Sequence, residues 1–97
     1  MNEKEKEIQS KLIVTMAYIE EFSDENHLVP PIEVSLTDAS GHDWHFDYHP
    51  ESDWVDMERR APKLPVAVLL RDSEGTIVEA RITTFSLPQR WMASFLQ

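Results

Sequence analysis

Histidines, aspartates and aromatics crowd one short stretch of the 97-residue chain, His42-Asp43-Trp44-His45-Phe46-Asp47-Tyr48-His49-Pro50. Imidazole nitrogens and carboxylate oxygens are ligands that zinc accepts, and an open fourth position would let a bound cation activate water. His42, His45, Asp47 and His49 are the candidate metal ligands on those grounds. Spacing limits the idea. Side chains two apart on a strand leave the same face roughly 6.5–7 Å apart, so His45 and Asp47 can share an ion. His45 and His49 stand about 13 Å apart along extended chain and converge only if the strand bends, as Pro50 permits. Carboxylates beside imidazoles also favour the protonated ring, which makes the stretch a candidate pH-sensitive patch.

A second cluster follows directly: Glu51, Asp53, Trp54, Asp56 and Glu58, closed by Arg59-Arg60. A tryptophan ringed by charge has the composition of an interface hot spot, although Trp54 could equally cap the core beneath a connection. Together with Asp43 and Asp47, these five residues are the candidate partner-contact surface. Familiar catalytic signatures are absent. Gly41 and Gly75 are the only glycines, too few for a phosphate-cradling loop, and neither a Gly-x-Ser-x-Gly elbow nor a His-Glu-x-x-His helix occurs.

Charge narrows the partners. The net charge is −9, unevenly spread: residues 1–58 hold fifteen acids against Lys4, Lys6 and Lys11, whereas 59–97 hold six basic residues against Asp72, Glu74 and Glu79. An acidic surface repels a phosphate backbone, so direct nucleic-acid binding is disfavoured. The same field steers a basic protein toward it. No cysteine is present, which removes disulfides, thiolate metal sites and a cysteine nucleophile. Met1 to Glu7 lacks a basic-then-apolar signal pattern, and no apolar run approaches membrane-spanning length. A cytoplasmic location with no membrane contact is the expectation.

The elements that must position these residues follow from periodicity. Ile8, Leu12, Met16, Ile19 and Phe22, widened by Ile13 and Ala17, recur at helical spacing and predict a helix over 3–22. Its opening glutamates suit the helix dipole, and Glu7 and Lys11 form an i,i+4 pair. Pro30-Pro31 close a connection. Strict alternation then predicts a strand over 32–37, a turn at Asp38-Ala39-Ser40-Gly41, and a strand over 43–48. Trp44, Phe46 and Tyr48 take its core face, while Asp43, His45, Asp47 and His49 take the other.

A second hairpin repeats the outline, with a strand over 66–71, a turn at Asp72-Ser73-Glu74-Gly75 and a strand over 76–84 whose Val78, Ala80 and Ile82 face inward. The two Asp-x-x-Gly turns are read here as recurring turn chemistry rather than duplication. A short helix is expected in the 49–63 connection, opened by Pro50, and a terminal helix from Pro88 carrying Trp91 and Phe95.

Residues 1–97 are thus expected to form a single α+β domain. Two β-hairpins would make a four-stranded antiparallel sheet, with N-terminal and C-terminal helices on one face. The order of the hairpins in the sheet stays open. The expected function is that of a small acidic protein acting through protein–protein contact, as an inhibitor, an antitoxin or immunity protein, or an adaptor engaging a basic surface. The alternative is a metal-binding or metal-dependent domain built on the histidine-bearing strand. No organic cofactor is called for. An edge strand of either hairpin could also pair across a two-fold axis to give a homodimer.

Overall fold

The computed structural model describes residues 3–48 and 60–88. One helix and four strands follow in order: α1 (Glu3–Glu25), β1 (Ile32–Thr37), β2 (Asp43–Tyr48), β3 (Val66–Arg71) and β4 (Ile77–Ile82). The strands form one antiparallel sheet in the order β2-β1-β3-β4. The α+β architecture is therefore as expected, and the hairpins join through their first strands. The short helix expected in the 49–63 connection and the terminal helix from Pro88 fall mainly on residues 49–59 and 89–97, outside the described residues. No described helix is long and apolar enough to cross a membrane.

Alternation fixes the faces. Ile32, Val34 and Leu36 of β1, Trp44 and Tyr48 of β2, Val66, Val68 and Leu70 of β3, and Ile82 of β4 are buried together with Met16 and Ile19 of α1. A fully buried aliphatic side chain contributes about 1.5–3 kcal/mol, so this one layer carries most of the apolar stabilisation. The opposite face of the sheet is exposed, a division antiparallel sheets allow. Its residues are polar or charged apart from Ala67, Leu69 and Ile77.

The helix runs to Glu25, beyond the predicted end at residue 22, where a specific cap closes it although Glu20, Glu21, Asp24 and Glu25 crowd the negative end of the dipole. His27 adopts φ 53°, its N–H donates to Asp24 O at 3.2 Å, and the Leu28 N–H donates to Ser23 O at 3.0 Å. That is the Schellman arrangement, with histidine where glycine is usual. Inside the helix, the buried Thr15 and Ser23 hydroxyls donate to Lys11 O and Ile19 O. Ile13, expected on the apolar stripe, is instead 44% exposed.

The hairpins correspond further than a shared turn requires. The 34-residue offset from Asp38 to Asp72 carries β1 onto β3 and β2 onto β4 residue for residue. In the central ladder Ser35 faces Leu69, its own counterpart, so a pseudo-two-fold axis passes between β1 and β3 there. The turn chemistry is duplicated as well. Asp38 Oδ1 accepts the Ser40 and His42 N–H groups at 3.0 Å each, and Asp72 Oδ1 accepts those of Glu74 and Thr76 at 3.0 and 2.8 Å. Gly41 and Gly75 sit at φ 84° and 85°, a region glycine enters without steric cost.

The second carboxylate oxygen of each aspartate reaches across the axis. Asp38 Oδ2 accepts the Lys63 N–H at 2.9 Å, on the lead-in to β3. Asp72 Oδ2 accepts the Val29 N–H at 3.0 Å, on the lead-in to β1. Backbone bonds complete each latch, Ala39 N–H to Lys63 O and Ser73 N–H to Val29 O. Each hairpin's turn thus holds the approach to the other hairpin.

Candidate functional site

Strand β2 forms one edge of the sheet and carries the candidate chemistry. The Asp38 N–H donates to His42 O, which sets the phase of the ladder. In an antiparallel pair bonded and non-bonded positions alternate, so Trp44, Phe46 and Tyr48 direct their backbone groups at β1. Asp43, His45 and Asp47 direct theirs away from the sheet. The same three residues place their side chains on the exposed face. Among the described residues nothing pairs with these outward backbone donors and acceptors, which lie beside two carboxylates.

Neighbours on β1 tune this face. Thr37 Oγ1 donates to Asp43 Oδ1 at 2.7 Å, and Ser35 Oγ lies 3.1 Å from His45 Nδ1. Asp47 stands directly opposite Glu33, and like charges facing across a ladder are destabilising. Glu33 is in turn opposite Arg71 of β3. Among the described residues Glu33, Asp43 and Asp47 make no ion pair. Three carboxylates thus lie exposed along the β2 side of the sheet, whereas Arg71 and Arg81 lie toward β4.

On the core side of β2, Trp44 and Tyr48 are buried and Phe46 between them is partly buried. Trp44 is 5% exposed, and the His42 ring meets it edge-on with centroids 4.4 Å apart. Among the described residues no acceptor meets the buried Trp44 Nε1 proton; a buried donor left without one costs about 1–3 kcal/mol. Tyr48 packs under the end of α1. Burial, reinforced by Glu20 and Asp24, pushes its phenol up to about 12.

These placements sort the predicted residues. His45 and Asp47 share the exposed face of β2, while His42 turns to the core side against Trp44 and is not brought to them. His49 lies outside the described residues. Among the described residues, no group of three or more histidine, aspartate or glutamate side chains is placed to hold a metal ion. Of the partner-contact set, Asp43 and Asp47 lie on the open edge, while Glu51, Asp53, Trp54, Asp56 and Glu58 fall outside the described residues.

Sequence reasoning missed Glu33 as a member of the acidic face, because membership depends on the β1–β2 register. It also missed the latch role of Asp38 and Asp72. The signal for that role was present, since a proline precedes each aspartate by the same interval, Pro31 to Asp38 and Pro65 to Asp72. No protein-family model matches the chain, and no curated protein and no solved structure matches it.

Proposed function

We propose that this chain acts by protein–protein contact, as a small acidic inhibitor, an antitoxin or immunity protein, or an adaptor, and that it receives a basic surface of its partner at the β2 edge. The observation that carries the reading is the coincidence, on one strand, of outward backbone groups and exposed carboxylates. An extended partner segment adding to such an edge gains main-chain hydrogen bonds, and alternate side chains supply the specificity. Lysine or arginine at those alternate positions would meet Asp43 and Asp47 and relieve the Asp47–Glu33 opposition. The negative field of the whole chain, −9, accelerates the encounter with a basic partner.

The test pairs the native protein with Asp43→Lys/Asp47→Lys, both immobilised and exposed to lysate of the native cell at low and high salt. A basic protein held by the native chain at low salt, released at high salt and weakened about tenfold or more by the double reversal supports the reading. Capture that is indifferent to the reversal overturns it.

A further inference from the structure

The other edge of the sheet differs in kind. The Asp72 N–H donates to Thr76 O, so Val78, Ala80 and Ile82 bond back to β3 while Ile77, Glu79 and Arg81 direct their backbone groups outward. Among the described residues, no hydrogen bond from another element reaches those three. Ile77 is 53% exposed. On the core face of β4, Val78 and Ala80 are only half-buried, in contrast to the fully enclosed Ile82. The core is therefore left incomplete along this edge.

We propose that β4 pairs antiparallel with β4 of a second copy of this chain, across a two-fold axis at Ala80, joining two sheets into one of eight strands. The side chains specify both partner and register. With Ala80 opposite Ala80 of the second copy, Glu79 falls opposite the second copy's Arg81, and Arg81 opposite its Glu79. Opposite charges directly across a ladder are stabilising. Glu79 and Arg81 are also the outward-bonding positions, so each such pair exchanges both backbone hydrogen bonds. On the core face Val78 of each copy packs beside the second copy's Ala80, closing the apolar layer over the side chains that are half-buried in the single chain. The close, non-bonded pair on the axis is the small Ala80.

Other registers are penalised. A slip of one residue turns the core face to solvent. A slip of two residues, taken in one sense, sets Glu79 against Glu79, and in the other sets Arg81 against Arg81. Edge β2 has no comparable self-fit, for its exposed face carries Asp43, His45 and Asp47 without a lysine or arginine. The dimer leaves both β2 edges open, so it stands independently of the function proposed above.

Sedimentation velocity of the native chain over about a hundredfold dilution tests the pairing. A reversible dimer is expected. Glu79→Arg and Arg81→Glu should each raise the dimer dissociation constant about tenfold or more, since each sets like charges opposite at two symmetric positions. An equimolar mixture of the two variants should recover the dimer, as should the double variant Glu79→Arg/Arg81→Glu. Circular dichroism of each variant shows that the fold is kept. A native chain monomeric at every concentration overturns the proposal, and so does a dimer that survives both single reversals.

Discussion

Asp38→Asn separates a latch from the turn that carries it. The amide oxygen can still accept the Ser40 and His42 N–H groups, but its NH2 replaces the oxygen that accepts the Lys63 N–H at 2.9 Å. A hydrogen bond to a charged acceptor contributes about 1.5–3 kcal/mol. The Ala39-to-Lys63 backbone bond persists and keeps the lead-in near its place. The expected loss is therefore about 2 kcal/mol, or roughly 8–16 °C in Tm for a domain of this size.

Urea unfolding followed by tryptophan fluorescence measures the loss, and pH supplies a second axis. Burial draws the Asp38 carboxyl upward, but the Ser40 hydroxyl and the N–H groups of Lys63, His42 and Ser40 outweigh it and hold the group at about 2 against an ordinary 3.8. A depressed carboxyl contributes stability that is present above its unfolded value and lost as pH falls through the folded one. The variant lacks that titration, so the gap between the two proteins should close between about pH 4 and pH 2. Asp72 titrates in both proteins and cancels. An unchanged urea midpoint at neutral pH refutes the latch, as does a gap that stays constant into acid.

Two further outcomes follow from the same geometry. Burial, then Glu21, raises the Tyr18 phenol, and Tyr48 is pushed to about 12. Absorbance at the tyrosinate band should therefore show both of the chain's tyrosines ionising later than free tyrosine. A raised phenol loses its contribution as pH climbs past its unfolded value, so stability should fall there, and a single transition at the ordinary tyrosine value would contradict the packing. Gly75→Ala meets no atom within 4 Å but places a side chain at φ 85°. The cost should be about 1–2 kcal/mol by the same urea assay, and a neutral result would contradict the left-handed turn.

Strands were the most legible part of the sequence. The alternation in Ile32–Thr37, Asp43–Tyr48 and Val66–Arg71 gave both ends of three strands, because a buried face imposes a period of two and breaks where the turn begins. The fourth was read two residues too long at its far end. Its ladder stops at Ile82 opposite Val66, the first residue of β3, so Thr83 and Thr84 have no strand residue left to pair with. The helix was read too short because its cap depends on a backbone angle at His27, a residue type that gives little warning of it. Lateral strand order was not legible, since alternation says which face a residue takes but not which neighbour it meets. For the same reason Asp43 and Asp47 could be named from sequence, while Glu33 could not.

The latches bear on how the molecule opens as well as on how it stands. A hairpin turn is ordinarily a local structure, formed and lost without reference to distant chain. Here the aspartate at each turn is satisfied by an amide 25 or 43 residues away. Neither hairpin can complete its hydrogen bonding until the other is docked, so the amides of Val29 and Lys63 should exchange with solvent only when the whole sheet comes apart. Segments that look like surface loops thereby report on global rather than local unfolding, and the sheet becomes one cooperative unit instead of two hairpins laid side by side.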